Sequence, residues 1–162
     1  MRTVVIGSGS WGTALAQVLQ DNHQEVLVYG VAEAEVNDIN ENHKNSKYFG
    51  DVELNPELKA TTDIQCVKGA DIVLLAVPTI AIDPICHQIN DILDKKTIII
   101  NVSKGFHPET NERMSEVIRR CIDEDKLSSV VSLIGPSHAE EVVIRLLTTI
   151  DAISLNNEDA VA

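Results

Sequence analysis

The sequence predicts an α/β fold of the doubly wound type, a mainly parallel sheet with helices on both faces. Three observations carry that expectation. Short β-branched runs alternate with helical patterns along all 162 residues, which is the order that right-handed βαβ units need. Aromatic residues make up only 3%, so the core must be assembled from Val, Ile, Leu and Ala, the side chains of strands buried on both faces. The chain also opens on an apolar strand that runs through a glycine-rich turn straight into a helix. Its length suits one domain, residues 1–162, or a piece of a larger protein, with a substantial core in either case.

Strands are expected at residues 3–6, 25–29, 71–77, 97–102 and 130–134, with a weaker signal at 149–155. Helical patterns fall between them at 11–21, 32–42, 62–68, 79–93 and 110–123, with a helix start at 137–143. The pattern at 79–93 is the clearest, because Ile82, Ile85, Cys86, Ile89, Ile92 and Leu93 share one face. Ahead of it, Pro78 removes a backbone donor and Thr79 offers a cap. Residues 43–59, broken by Asn, Lys, Gly and Pro, read as a long irregular loop, and 156–162 as the start of a further helix.

In an open parallel sheet, ligands sit beyond the carboxyl ends of the strands. After the first strand comes Gly7-x-Gly9-x-x-Gly12. Gly7 permits the tight turn, Gly9 lets backbone N–H groups approach a pyrophosphate, and Gly12 lets the helix pack closely; the helix N-terminus supplies donors and the positive dipole end. This is a dinucleotide-binding pattern in the strand–turn–helix context it requires. The pattern calls for an acid about 20 residues on for the ribose of NAD, or an Arg for the 2′-phosphate of NADP, and neither stands at the end of the second strand. Glu33 and Glu35 are near and read equally as solvated first-turn residues, and the lack of any Arg or Lys between Arg2 and Lys44 argues against NADP. After the fourth, Lys104 stands beside Gly105 at the end of a buried run, placed to bind a phosphate, carboxylate or carbonyl oxygen. After the fifth, Ser137 and Glu140 form the S-x-x-E pattern of a capping box, with His138 between them as an exposed residue. No spacing of His, Cys or acids reads as a metal site.

A net charge of −12 argues against a nucleic-acid or membrane-surface partner, since either favours a basic face. Cys66, Cys86 and Cys121 are widely spaced and without a CxxC pair, as in a reduced, cytoplasmic protein. No apolar run approaches the roughly 20 residues that span a bilayer.

Four segments together resemble the bacterial NAD(P)-dependent glycerol-3-phosphate dehydrogenases: Gly7-Ser-Gly-Ser-Trp-Gly-Thr-Ala-Leu-Ala16, Val77-Pro78, Val102-Ser-Lys-Gly105 and Gly135-Pro-Ser-His-Ala-Glu-Glu-Val142. The resemblance spans nearly the whole chain and implies a Rossmann domain binding NAD or NADP. A separate C-terminal helical domain, absent from this chain, supplies the family's catalytic Lys, so no catalytic residue is expected here and the fragment alone is not expected to turn over. The reaction implied is hydride transfer between dihydroxyacetone phosphate and sn-glycerol 3-phosphate, in glycerophospholipid synthesis. By the same resemblance Gly7, Gly9, Ser10, Trp11, Gly12, Lys104 and Ala139 would contact the cofactor, and Lys104, Gly135 and Ser137 the substrate. Many relatives carry Arg where Val31 stands, which leaves NAD and NADP both open. A Pro is usual at Gly50, and a Gly and a Pro around 145 and 147. A homodimer is open as well. Two other readings stand beside this one: a non-catalytic dinucleotide-binding regulatory module, and the cofactor domain of a related β-hydroxyacid dehydrogenase.

Overall fold

Six strands run parallel through a computed structural model that describes residues 1–156: β1 (Arg2–Ile6), β2 (Glu25–Tyr29), β3 (Lys59–Thr61), β4 (Ile72–Leu75), β5 (Thr97–Asn101) and β6 (Leu127–Ile134). β7 (Asp151–Ser154) closes one edge antiparallel to β6. The order is β3-β2-β1-β4-β5-β6-β7, so the chain starts in the interior and winds outward in both directions from β1. Val4 and Ile6 of β1, with Val73 and Leu75 of β4, bury toward one face, where Ile82, Ile89 and Ile118 meet them. Val5 and Leu74 alternate to the other face, against Ala14, Ile39 and Val142. Two buried faces explain why these strands carry almost no polar positions.

The helices are α1 (Ser10–Asp21), α2 (Glu33–Asn37), α3 (Ser46–Phe49), α4 (Thr79–Asn90), α5 (Met114–Cys121) and α6 (Ala139–Val143). Differences from the sequence expectation have local causes. The pattern at 32–42 splits into α2 and a π-helical turn, Asp38–Asn42, and Asn40 there donates to and accepts from the Ala60 backbone at 2.9 Å each way. That clamp holds β3 on the sheet, although three residues at the end of a presumed loop give no strand signal. The same loop contains α3. The helix expected at 62–68 is a short 3₁₀ turn, Ile64–Val67, started by the Asp63 carboxylate accepting from Gln65 N–H. The helix expected at 110–123 begins only at Met114, where Glu116 accepts from the Arg113 N–H at 3.1 Å. Thr79 caps nothing: Pro78 holds the N-cap position and no side chain bonds there. The helix start expected at 156–162 falls almost entirely on residues outside those described. No helix among the described residues is long and apolar enough to cross a membrane.

Candidate functional site

The strand ends are tied to one another by backbone bonds just past the sheet. Gly7 N–H donates to Tyr29 C=O at 2.8 Å, Ala76 to Ile6 at 2.9 Å, Gly30 to Thr61 at 3.0 Å and Val102 to Leu75 at 3.2 Å. On this frame Gly7 turns with φ +117°, and a Cβ there would stand 2.4 Å from the Ala76 carbonyl oxygen. Gly12, in the first turn of α1, is closer still: its Cβ would meet the Gly7 carbonyl oxygen at 2.0 Å. Gly9 is the N-cap of α1, has no side-chain cap, and a Cβ on it would meet nothing within 4 Å. The three glycines therefore divide the work as the sequence pattern requires, two for packing and one facing open space. That open turn lies at the positive end of a 12-residue helix, where backbone donors and the helix dipole favour an anion.

Three adjoining cavities follow the strand ends. The first, about 440 Å³, is lined by Gly7, Ser8, Gly9, Gly30, Glu35 and Lys47, with Val77 and Pro78 on the far wall. The second, about 330 Å³, shares Ala76 and Val77 with it and adds Ser10, Trp11, Lys104, Ser137 and Ala139. The third, about 420 Å³, shares Ser103 and Lys104 with the second and takes in Asn101, Phe106, Arg113 and Gly135. Every site residue named from the sequence lines this trough, apart from Gly12, which is buried beneath it. Lys104 lies where the last two cavities meet, its Nζ 3.5 Å from the Ser137 carbonyl oxygen. Its loop is held by the Ser103 hydroxyl, which donates to the Val77 carbonyl at 2.5 Å.

Two readings from the sequence are corrected here. Ser137 does not cap a helix. His138 is the N-cap of α6 and no side chain bonds there, while the Ser137 hydroxyl turns back toward the Gly135 carbonyl at 3.5 Å. Gly135 packs so closely that a Cβ would be 2.8 Å from the Thr149 carbonyl oxygen, and this fixes the approach of the chain to α6. Glu35 is not a solvated first-turn residue either. It is buried, accepts from the Ser8 hydroxyl at 2.5 Å through one oxygen, and takes Lys47 Nζ at 2.6 Å on the other. Glu33 does remain exposed.

Sequence reasoning also passes over Asn45. It is fully buried, and its Nδ2 donates to the Ser8 carbonyl at 2.8 Å and to Thr13 Oγ1 at 2.9 Å. The loop around α3 thus folds back and secures the glycine turn from outside. Only its lack of apolar periodicity was visible in the sequence. Asp83, His87 and Cys121 also come together, with ligand atoms within 4.8 Å of one another, although no spacing in the sequence shows it. Arg120 occupies that carboxylate at 2.8 Å and holds the Asp83 carboxyl below its ordinary range, against a smaller opposing effect of burial. The negative charge is therefore already met. Burial pushes the Cys86 thiol up to about 12 and those of Cys66 and Cys121 up to about 11, so all three are protonated near neutrality.

Strand order, glycine turn and edge trough together define a Rossmann domain of the dinucleotide-binding class. Residues 2–161 match the family model described as the N-terminus of NAD-dependent glycerol-3-phosphate dehydrogenase, and the chain belongs to that family. It is 48% identical over 152 residues to glycerol-3-phosphate dehydrogenase [NAD(P)+] of Listeria monocytogenes serotype 4b, covering 93% of this chain and 45% of that protein. Against the enzyme of the same name from Macrococcus caseolyticus it is 46% identical over 155 residues, covering 95% and 47%. A crystal structure of glycerol-3-phosphate dehydrogenase from Coxiella burnetii superposes with a TM-score of 0.88 at 27% identity, over 98% of this chain and 48% of that one. A pyrroline-5-carboxylate reductase from the same organism shares the fold alone, at 17% identity and a TM-score of 0.71. The chain spans less than half the length of the curated relatives it matches.

Proposed function

We propose that this chain is the cofactor-binding part of a glycerol-3-phosphate dehydrogenase that exchanges hydride between dihydroxyacetone phosphate and sn-glycerol 3-phosphate. The observation that carries it is the position of Lys104 between a cavity continuous with the glycine turn and a second cavity that holds Gly135. Residues 1–162 serve as the dinucleotide-binding domain. The open face at Gly9 and the free end of α1 take the pyrophosphate, and Gly7 and Gly12 keep that turn in shape. Ser10, Trp11 and Ala139 line the path toward the reacting end. NAD or NADP, when bound, supplies the hydride acceptor or donor.

The chain's own task is positioning and electrostatics. Lys104 offers a fixed positive charge to the carbonyl or phosphate oxygen of a small anionic substrate, beside Gly135 and Ser137. The catalytic Lys that the resemblance implies would come from a segment beyond this chain. A cytoplasmic setting accords with the free cysteines.

Trp11 is the sole tryptophan and lines the second cavity, so its emission reports on the site. Titration of the folded chain with NADH and NADPH is expected to quench Trp11 saturably. No change with either nucleotide would overturn the cofactor role. A panel of 2-hydroxyacids and sugar phosphates, offered to the full-length protein, separates glycerol 3-phosphate from the substrates of a β-hydroxyacid dehydrogenase.

A further inference from the structure

The first cavity contains one feature that the glycine turn does not explain. Glu35 follows Gly12 by 23 residues, near the place where an acid that selects NAD is expected to hold the ribose hydroxyls. Such an acid accepts from the ribose hydroxyls, and each oxygen of Glu35 already accepts from a protein group. One accepts from the buried Ser8 hydroxyl, which is packed so tightly that a Cβ on Gly30 would stand 2.3 Å from the Ser8 Oγ. The other accepts from Lys47.

Lys47 is different. Its side chain is 62% exposed, it borders the cavity next to Gly30, Val31 and Ala32, and among the described residues it is the one Lys, Arg or His that lines the cavity. Val31, where an Arg would reach a 2′-phosphate, is 84% exposed and uncharged. An ammonium has three donors, and the bond to Glu35 uses only one. The Lys47 ammonium also sits 5.0 Å from the centre of the Tyr48 ring, a second contact that limits where it can point.

We propose that Lys47, positioned by Glu35, recognises the 2′-phosphate of the adenosine ribose and makes the site prefer NADPH to NADH. This rests on the dinucleotide reading above. The Glu35 carboxylate by itself would repel a phosphate, so the Lys47 charge between them is what admits it. Removing Lys47 then does two things to the phosphorylated cofactor: it deletes a charge-assisted bond and leaves the opposing carboxylate bare. NADH, lacking the phosphate, loses neither.

The test is calorimetric titration of the full-length protein with NADPH and with NADH. In Lys47→Ala, NADPH affinity is expected to fall roughly tenfold or more, the equivalent of one hydrogen bond to a charged group. NADH affinity is expected to stay at the parent level or rise, since its ribose carries no phosphate for Lys47 to meet and the Glu35 oxygen that Lys47 occupied can then accept from a ribose hydroxyl. Lys47→Arg is expected to retain most of the preference. In the parent, NADPH binding should weaken with added salt more steeply than NADH binding, and Lys47→Ala should remove that difference. Equal weakening of both nucleotides in Lys47→Ala, or no weakening of either, overturns the proposal. Failure of the parent to bind either nucleotide overturns the dinucleotide reading itself and this inference with it.

Discussion

At the β1–α1 turn the chain locks itself, with two glycines at contact distance, Asn45 bonded to Ser8 and Thr13, and Glu35 on the Ser8 hydroxyl. At the Lys104–Ser137 end the backbone is pinned at Ser103 and Gly135, but the Lys104 side chain is left nearly unheld. There a single 3.5 Å contact joins the two residues, and Phe106 and Ile134 stand mostly exposed beside the third cavity. The first end is built as a rigid receptor whose shape is decided within these residues. The second presents a charge and leaves it accessible. A binding site can thus be preorganised where one cofactor must always fit and open where a reacting molecule must enter and leave.

Substitutions at the two ends should therefore fail in different ways. The largest effect is expected from Lys104→Ala in the full-length protein: most activity lost, with unfolding free energy within about 0.5 kcal/mol of the parent. Steady-state rates together with urea unfolding check both halves, and a marked loss of stability would show that Lys104 is part of the scaffold after all. At the locked end the order reverses. Gly12→Ala drives a Cβ against the Gly7 carbonyl and is expected to cost about 3 kcal/mol of stability. Asn45→Ala strips two buried hydrogen bonds from the turn and should cost about 2 kcal/mol, measured the same way.

Gly9→Ala sharpens the comparison, since its methyl group meets no protein atom. Stability should stay within about 0.5 kcal/mol while dinucleotide affinity drops; a drop in stability instead would mean the turn is less open than its geometry.

The smallest effect concerns pH and lies away from both ends. Arg120 holds the Asp83 carboxyl lower in the folded chain than in the unfolded one. That contribution is present above the unfolded value, about 3.9, and is lost as pH falls through the folded one. Asp83→Asn should flatten the acid limb of the stability curve below about pH 4 and leave the dinucleotide affinities unchanged.

Much of this was legible in the sequence, for physical reasons. β1, β2, β4 and β5 are buried on both faces, so their β-branched runs are nearly uninterrupted, and the glycine turn is contiguous, so its spacing carries its geometry. Glu35, Asn45 and Lys47 were not legible. Each acts through a partner dozens of residues away or across a loop, and nothing periodic marks them. The Ser137–Glu140 pattern was visible but misleading, because the tight passage at Gly135 sets the start of α6 at Ala139. Pattern speaks for local hydrogen bonds and is silent on which long-range contact overrides them.

The reversed direction of β7 has a practical consequence. Asp151 lies opposite Ile134 at the carboxyl edge of the sheet, and Ser154 lies opposite Val131, nearer the middle. The strand therefore heads toward the edge from which β1 sets out. Met1 stands at that same edge, one strand length from the glycine turn, so a tether or dye on Met1 would leave the turn facing solution and suits nucleotide-binding measurements on an immobilised chain.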